Sequence, residues 1–374
     1  MIISSLRTAA FRNLSDAVVE TAAKNIFLVG ENGQGKTNFL EALYFCSYAS
    51  SFRRARDSDI AQNEKKDFSA SITTAKPASG QPVEKSTLGD VLVKFEKSKK
   101  SVFIDGKKKE DRKELLSVVP CVVFCHEDME FVAGSPERCR WFFDQALSLY
   151  DLVYLDDLRG YRRVLKSRNS VLRDNRQGHN GSLEPLLDAL DQQAALYGVR
   201  LMEKRETAAQ LFSGVFSQLF EQVANITGMA VLYNPSWKAC CVDEAIALLR
   251  KRRTADLAAG ISLSGPHRDR YVFTLDGRDF AGNASTGQRR LLALLLRVAQ
   301  ARRYRETTGG NPILLLDDVL LEMDGEKRRR FLAALPDYNQ AFYTFLPEEP
   351  FQHYRTGDTL VYYVKQGRIE SEKQ

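Results

Sequence analysis

Residues 30–38 read Gly30-Glu31-Asn32-Gly33-Gln34-Gly35-Lys36-Thr37-Asn38, and the first eight fit the pattern G-x-x-x-x-G-K-[ST]. An apolar run from Asn25 to Val29 precedes this loop and helical spacing follows it through Phe45, so a predicted strand leads into a predicted helix. Glycines let backbone N–H groups wrap phosphates at the positive end of that helix, Lys36 would reach the β and γ phosphates, and the Thr37 hydroxyl can ligate Mg²⁺. The sequence therefore predicts an ATP-binding P-loop that opens an α/β fold.

A second motif lies near the end of the chain, where Ile313-Leu314-Leu315-Leu316 runs into Asp317-Asp318. Four aliphatic residues buried in a parallel sheet would bring Asp317 to the carboxyl edge beside the phosphate loop, where it would hold the Mg²⁺ shell. Asp318 would face the γ-phosphate and position or deprotonate the attacking water. Because aspartate is shorter than the glutamate of many related ATPases, we expect slow hydrolysis. The alternative is a buried strand whose acids cap the next helix, and the P-loop favours the ATPase interpretation.

The segment Ser285-Thr286-Gly287-Gln288 opens an apolar helix predicted from about Gly287 to Arg305. It resembles the signature loop of ABC-type ATPases, in which a serine and a glycine backbone grip the γ-phosphate from a helix N-terminus. On this interpretation Ser285 is catalytic, and Gly287 and Gln288 contact the nucleotide. A plain helix cap explains Ser285 equally well. The position of the segment before the Asp317-Asp318 strand favours the signature.

The spacing of apolar residues also indicates how the chain is organised. Short alternating runs between about Ser69 and Val123 predict antiparallel strands, whereas helical spacing extends from about Pro136 to Arg253, with a hydrophilic break at Asp174 to Ser182. Strand patterns return after Ile261. The predicted fold class is α/β, an ABC-type P-loop ATPase head interrupted by a compact, mainly helical lobe. We assign residues 1–125 and 258–374 to the head and residues 126–257 to the lobe.

The composition is that of a globular protein, since 44% of the 374 residues are hydrophobic and 27% are charged. Residues 1–14 contain no apolar core of a signal peptide, and the longest aliphatic run, Leu291 to Leu296, is too short to span a bilayer. The six cysteines form no paired C-x-x-C framework. We therefore expect a cytoplasmic protein with reduced thiols.

Positive charge is concentrated in one segment of the chain. The net charge is +6, and residues 159–176 contain seven arginines and lysines against one acid. On a helix, five of them share one face, opposite apolar residues such as Tyr161: Arg159, Arg162, Arg163, Lys166 and Arg173. Packing the apolar side would present a cationic stripe that binds DNA phosphates without reading bases. A solvated helix face is the alternative.

The order and spacing of motifs along nearly the whole chain resemble the RecF family of bacterial DNA repair proteins. These are relatives of SMC heads with a small lobe in place of the long coiled coil. Besides the P-loop, the signature and Asp317-Asp318, the resemblance rests on Phe11-Arg12-Asn13-Leu14, Ser51-Phe52-Arg53, Phe124-Cys125-His126-Glu127-Asp128, Gly134-Ser135-Pro136, Tyr161-Arg162-Arg163-Val164-Leu165-Lys166, Arg168-Asn169, Gly265-Pro266-His267-Arg268-Asp269 and Glu322-Met323-Asp324.

Some positions depart from the family pattern or have two interpretations. Arg270 stands where a second acid is usual, and Tyr343-Thr344-Phe345 stands where a threonine-rich switch segment is usual. Arg53 is either a link between nucleotide and DNA or a surface charge. Glu127 either touches the Mg²⁺ shell or is an ordinary loop carboxylate.

The resemblance implies an ATP-dependent DNA-binding clamp that forms a homodimer on ATP. Ser285 of one copy would complete the site built on Lys36 and Asp317 of the other, and weak, DNA-dependent ATP hydrolysis would open the clamp. ATP and Mg²⁺ are the implied cofactors. The implied role is recombinational repair, replication restart and the SOS response at gapped DNA and single-strand/double-strand junctions, where RecO-like and RecR proteins help RecA to load. The alternative, a nucleotide-bound DNA scaffold or loading platform without turnover, is disfavoured by intact Lys36, Asp317 and Asp318.

Overall fold

A computed structural model describes residues 1–62, 65–76, 87–176, 184–320 and 323–372. Its strands are β1 (Ile2–Ala9), β2 (Ala17–Glu20), β3 (Asn25–Val29), β4 (Phe68–Ala75), β5 (Thr87–Glu96), β6 (Lys99–Ile104), β7 (Lys107–Lys109), β8 (Cys121–Phe124), β9 (Met229–Asn234), β10 (Arg270–Leu275), β11 (Arg278–Asp279), β12 (Ile313–Leu316), β13 (Gln340–Phe345), β14 (Thr359–Lys365) and β15 (Arg368–Ser371). Its helices are α1 (Lys36–Tyr48), α2 (Lys113–Val118), α3 (Glu130–Ala133), α4 (Pro136–Tyr150), α5 (Leu152–Arg176), α6 (Glu184–Ala224), α7 (Val242–Ala259), α8 (Thr286–Thr308) and α9 (Gly325–Ala334). Most of the predicted hydrophilic break, and Glu322, lie outside the described residues.

The chain forms two compact units, and the first comprises Met1–Glu127 and Gln300–Gln374. Its mostly parallel sheet has the order β15-β14-β3-β13-β12-β8, in which only the edge strand β15 pairs antiparallel. Every residue of β3 and β12 is buried, as expected for strands covered on both faces. Because carboxyl ends of parallel strands meet at one edge, the P-loop after β3 and Asp317 after β12 reach the same edge, on either side of β13.

The second sheet of this unit is antiparallel, in the order β2-β1-β4-β5-β6-β7. Strand β4 buries alternate residues, including Phe68 and Ile72, as a sheet with one core face requires. Helix α1 contacts strands of both sheets, and its Phe45 ring packs edge-on against Phe11 with centroids 5.9 Å apart. This packing on two sides buries most of α1, the helix that follows the P-loop, and fixes its position.

The second unit, Asp128–Ala299, is mainly helical and contains the small sheet β11-β10-β9. Tyr154, Leu201 and Trp237 belong to the hydrophobic core formed by its helices. Strand β9 lies within the region where helical spacing was predicted, and it pairs antiparallel with β10 along its whole length. This pairing joins residues 258–299 to the helical unit, whereas the sequence assigned them to the head.

Within the described ranges, no helix combines the length and the apolar character that crossing a membrane would require.

Candidate nucleotide site and basic helix

The P-loop turns sharply into α1 through a glycine in a left-handed conformation. Gly35 has φ 120°, and a Cβ built there would lie 3.0 Å from Asn13 Oδ1, so both the dihedral and the space favour glycine. The next residue, Lys36, is buried, and its ammonium donates hydrogen bonds to the backbone carbonyls of Gly30 and Glu31. The predicted phosphate-binding lysine therefore lies over the loop.

Hydrogen bonds from side chains and from the backbone fix the P-loop on two sides. Gln34 Oε1 accepts a hydrogen bond of 2.7 Å from the Gln366 N–H, and the Gln34 carbonyl accepts one of 2.8 Å from Gly367. On the other side, Asn38 Nδ2 donates to Asn13 Oδ1 at 2.7 Å. The loop is preorganised by these contacts, which lowers the conformational entropy lost when a phosphate binds.

The structure brings Thr37 and Asp317 together, with 2.9 Å between the Thr37 hydroxyl and Asp317 Oδ1. Burial raises the pKa of Asp317 to about 7, and the adjacent Asp318 carboxylate adds to the shift. Glu127 raises the pKa of Asp317 further, so a third carboxylate acts on this position. Carboxylate and hydroxyl oxygens are the ligands that Mg²⁺ prefers, and a buried acid with acidic neighbours favours a cation. The residues present therefore fit the predicted Mg²⁺.

Asp318 adopts a backbone conformation that few residues other than glycine adopt, with φ 50°. Thr344 stabilises it: the Asp318 N–H donates to Thr344 Oγ1 at 2.7 Å, and that hydroxyl lies 2.8 Å from Asp318 Oδ1. Thr344 Oγ1 is also 3.3 Å from Asp317 Oδ1. Although the segment Tyr343-Thr344-Phe345 departs from the threonine-rich family pattern, the Thr344 hydroxyl lies between both acids.

A cavity of about 280 Å³ lies over these groups. It is lined by Glu31, Asn32, Gly33, Gly35, Lys36, Thr37, Asn38, Arg53 and Asp318. Arg53 extends this set beyond the residues that the sequence assigned to the nucleotide, and its guanidinium donates to Asn38 Oδ1 at 3.2 Å. The cavity thus combines the P-loop, the acid expected to act on water, and a second cation.

The signature segment forms a capping box at the start of α8. The Ser285 N–H donates to Gln288 Oε1 at 2.9 Å, and the Gln288 N–H donates to Ser285 Oγ at 3.3 Å. Both residues and Gly287 are exposed. A Cβ built at Gly287 would meet no described atom within 4 Å, so packing within this chain does not require the glycine.

Sequence comparison identifies the family. A sequence model of the RecF/RecN/SMC N-terminal domain matches residues 2–368. The DNA replication and repair protein RecF of Treponema pallidum is 40% identical over 361 residues, which cover 96% of this chain and 97% of the relative. RecF of Trichlorobacter lovleyi is 30% identical over 378 residues, covering 100% and 99%. This chain belongs to the RecF family.

Solved structures support the same assignment. The recombination mediator protein RecF-ATP of the RecFOR pathway matches this RecF-family chain with a TM-score of 0.88 and 26% identity, covering 99% of this chain and 97% of the other. An Smc head domain of Pyrococcus furiosus matches with a TM-score of 0.53 and 15% identity, covering 99% and 95%, and shares the fold alone. The predicted fold class, an ABC-type ATPase head with a helical lobe, is confirmed.

Two of the motifs that indicated the RecF family meet at one buried carboxylate. Arg12 donates two hydrogen bonds to the buried Glu41 carboxylate, at 2.9 and 2.8 Å, and the Ser51 hydroxyl also donates to it. Ser51 Oγ in turn accepts from the Arg53 N–H at 3.0 Å. Glu41, which motif reasoning did not single out, therefore ties α1 to the segment that carries Arg53.

The basic stripe lies on α5, where the helical periodicity predicted it. Tyr161, Val164 and Leu172 are buried. Of the five predicted DNA-binding residues, Arg162, Arg163, Lys166 and Arg173 are exposed, and Arg159 is half-buried. Two of them have acidic neighbours: Arg159 lies 4.0 Å from Asp156, and Arg162 lies 3.3 Å from Asp144.

Arg168 contributes to the positive count of this segment but not to its surface. Its side chain is only 1% exposed and forms ion pairs of 2.7 Å with Asp191 and with Asp256. Arg168 also donates to the Ser262 hydroxyl at 2.8 Å. This arginine joins α5 to α6 and α7, so its motif position has a structural explanation.

One further group among the described residues has the spacing of metal ligands, formed by the exposed Cys240, Cys241 and Glu244. The Glu244 carboxylate accepts a hydrogen bond from the Cys240 thiol, and this bond raises the pKa of Cys240. Because thiolate is the form that binds metals, this contact opposes metal binding, and we assign no site here.

Proposed function

We propose that this chain is an ATP-dependent DNA-binding clamp of recombinational repair and replication restart, working in the cytoplasm. The observation that carries the proposal is a connected set of groups at the P-loop: Thr37 and Asp318 line the cavity, Asp317 lies 2.9 Å from the Thr37 hydroxyl, and the Thr344 hydroxyl lies within 3.3 Å of both acids. The names of its relatives, DNA replication and repair protein RecF and recombination mediator protein RecF, support the role in repair.

In this proposal the chain binds ATP and hydrolyses it slowly. P-loop N–H groups and Lys36 bind the phosphates, and Thr37 and Asp317 hold Mg²⁺, which when bound offsets the phosphate charge. Asp318 accepts the proton of a water whose oxygen attacks the γ-phosphorus, and the bond to the bridging oxygen breaks to give ADP and phosphate. The short Asp318 side chain, held by Thr344, supports a weak ATPase.

The composite site requires a second copy of the chain. Ser285, Gly287 and Gln288 of one copy contact the γ-phosphate bound at Lys36 of the other. Two observations support this role: the segment is exposed, and a Cβ built at Gly287, the second residue of α8, would meet no described atom within 4 Å. Open space at an exposed helix N-terminus leaves room for a phosphate group to approach the backbone N–H groups.

The basic stripe on α5 binds the DNA backbone. Arg163, Lys166 and Arg173 point outward from a helix whose other face is packed, and Arg159 and Arg162 extend the cationic surface. Gapped DNA and single-strand/double-strand junctions are the proposed substrates, with DNA-stimulated ATP hydrolysis opening the clamp. RecO-like and RecR proteins are the proposed partners in RecA loading, because a solved relative belongs to the RecFOR pathway.

The experiment that tests this function is fluorescence anisotropy of a labelled gapped duplex with wild type and Lys36→Met, with and without ATP·Mg²⁺. We expect ATP to raise the affinity of wild type about tenfold and that of Lys36→Met hardly at all. Lys24→Met, which changes an exposed lysine of the same unit, should behave as wild type. A wild-type affinity that is equal with and without ATP would refute an ATP-dependent clamp.

A further inference from the structure

A larger cavity, of about 410 Å³, opens entirely within the unit Asp128–Ala299. Its walls come from α4, from α5 and from the turn Pro266–Arg268, and none of its lining residues belongs to the P-loop, the Asp317-Asp318 pair or the signature segment. The turn is part of the motif Gly265-Pro266-His267-Arg268-Asp269, for which the ATPase mechanism provides no role. Because the motif forms part of the cavity wall, we consider the function of the two together.

The motif shapes the cavity floor through buried contacts. Arg205, whose side chain is 2% exposed, pairs with Asp144 and with Asp269, each at 2.8 Å. Gly265 has φ 136°, and a Cβ there would lie 2.4 Å from the Tyr161 hydroxyl, so only glycine lets the turn approach α5 this closely. A rigid floor of this kind preorganises the side chains above it.

The cavity lining carries an excess of positive charge. Four arginines face two acids, and one pair, Arg205 with Asp144, is already formed in the floor. Asp144 also lies 3.3 Å from Arg162, and four arginines minus two acids leave the lining with a formal charge of +2. Arg140 is half-buried, and burial followed by the nearby Arg205 charge lowers its pKa, although Asp269, Asp144 and Glu137 oppose the shift. The cavity is thus suited to an anionic ligand.

The remaining lining adds an aromatic and apolar surface. The half-buried Trp141 indole lies on the same wall of the cavity as Arg140. Leu158 and Leu165 of α5 line the facing wall. A volume of about 410 Å³ falls in the range of pockets that bind small organic ligands. An aromatic surface beside guanidinium groups is the combination that binds a nucleobase together with its phosphate.

We propose that this cavity binds one unpaired nucleotide of a single DNA strand, with the base against Trp141 and the phosphate on Arg162 and Arg268. The proposal rests on the proposed DNA-binding function and adds to it a pocket for one unpaired base. Arg162 also belongs to the basic stripe, so one helix presents both the stripe and the cavity wall. A base-paired nucleotide cannot enter, since its base is stacked and paired within the duplex.

Intrinsic fluorescence offers a direct readout, because the chain has two tryptophans and the other, Trp237, is 1% exposed. The full-length protein with ATP·Mg²⁺ is titrated with a twelve-nucleotide oligo(dT), a duplex of the same length, or dTMP. Stacking of thymine on Trp141 should quench emission with oligo(dT), and Trp141→Phe should lose the quenching while still binding. Arg268→Gln should weaken oligo(dT) binding about tenfold and change duplex binding less than twofold, as loss of one charged hydrogen bond predicts. Arg270→Gln, which changes an exposed arginine two residues away and outside the cavity, is the matched control.

The outcomes separate this proposal from the proposed function. The nucleotide pocket would be overturned if Arg268→Gln and Arg270→Gln had equal affinities for oligo(dT), or if oligo(dT) caused no quenching that depends on Trp141. The clamp would still stand after either result, provided that ATP-dependent binding to duplex DNA is observed. Quenching by dTMP as strong as that by oligo(dT) would also overturn the pocket, because the cavity would then take free nucleotides. Failure to bind any DNA would instead refute the clamp.

Discussion

Asp318 and Thr344 form a local unit in which one hydroxyl holds a carboxylate in a left-handed backbone conformation. We expect Asp318→Asn to lower ATP turnover by about 100-fold or more, because an amide cannot accept the proton of the attacking water. Binding of ATP should persist, since Lys36 and Thr37 are unchanged. Phosphate release in steady state measures turnover, and Asp337→Asn, an exposed acid of the same unit, is the control. Turnover equal to that of wild type would remove Asp318 from catalysis, whereas a wild type without measurable turnover would favour the scaffold.

Arg53 provides a second prediction at this scale, because it lines the nucleotide cavity and its backbone is held through Ser51. Arg53→Ala should weaken ATP binding roughly tenfold, the effect of losing one charged hydrogen bond to phosphate. Arg56→Ala, which changes an exposed arginine outside the cavity, should retain wild-type affinity. Calorimetric titration with a non-hydrolysable ATP analogue measures both affinities. If Arg53→Ala and Arg56→Ala bind the analogue equally well, Arg53 is a surface charge and does not contact the nucleotide.

His267 gives a prediction about pH. Burial lowers its pKa to about 4, although the hydrogen bond with the Ser262 carbonyl opposes the shift. An unfolded histidine has a pKa near 6.5, so between these values the unfolded chain binds a proton that the folded chain does not. The free energy of unfolding therefore falls as the pH drops from about 6.5 towards 4.

The comparison of wild type with His267→Gln isolates this contribution. Urea midpoints at pH 7 and pH 5 should differ less for the variant than for wild type, because glutamine does not titrate. His353→Gln, at an exposed histidine, should follow wild type. The same loss of stability in all three proteins would show that His267 does not carry this pH dependence.

At the scale of elements, α5 places two arginines five positions apart in opposite environments. Arg168→Ala leaves the buried Asp256 without the cation that pairs with it, whereas Asp191 keeps Arg253 at 2.6 Å, so we expect it to lower the free energy of unfolding by about 3–5 kcal/mol. Arg163→Ala, on the exposed face, should change it by less than about 0.5 kcal/mol. Chemical denaturation measures both, and similar stabilities would contradict the structural role of Arg168.

For DNA binding we expect the opposite of the stability result, with the exposed Arg163 of α5 contributing to affinity. Arg163→Ala should weaken duplex binding and reduce the slope of log affinity against log salt by about 1, the signature of one lost phosphate contact. A salt slope unchanged in Arg163→Ala would mean that the exposed face of α5 is a solvated surface.

The elements most accurately predicted from sequence are those whose signal is local. The bounds of β3 and β12 match the prediction because short apolar runs end at a loop or an acid. Strand β9 was missed, since its alternating Met229, Val231 and Tyr233 follow a 41-residue helix and depend on pairing with the distant β10. The contact of Thr344 with Asp318 is not visible in the sequence for a similar reason, because it depends on β13 lying beside β12.

At the scale of the whole molecule, motif order was enough to predict the family and the fold class, because P-loop, signature and Asp317-Asp318 occur in the sequence expected of an ABC-type head. Charge counting was less reliable, because it does not distinguish the buried Arg168 from the exposed Arg163. The division of the structure into units also differs from the predicted division into head and lobe. Residues 258–299 belong to the helical unit because of long-range strand pairing, which no local pattern reveals.

The central claim is that ATP joins two copies through the signature segment, and the mass of the protein in solution tests it most directly. Multi-angle light scattering compares wild type with Ser285→Asp, with and without ATP·Mg²⁺ and gapped DNA. Aspartate keeps the cap on α8 but places a negative charge against the γ-phosphate. We expect ATP to convert wild type to a dimer and to leave Ser285→Asp monomeric. A wild type that stays monomeric with ATP and DNA together, or a variant that dimerises equally well, would contradict the composite site.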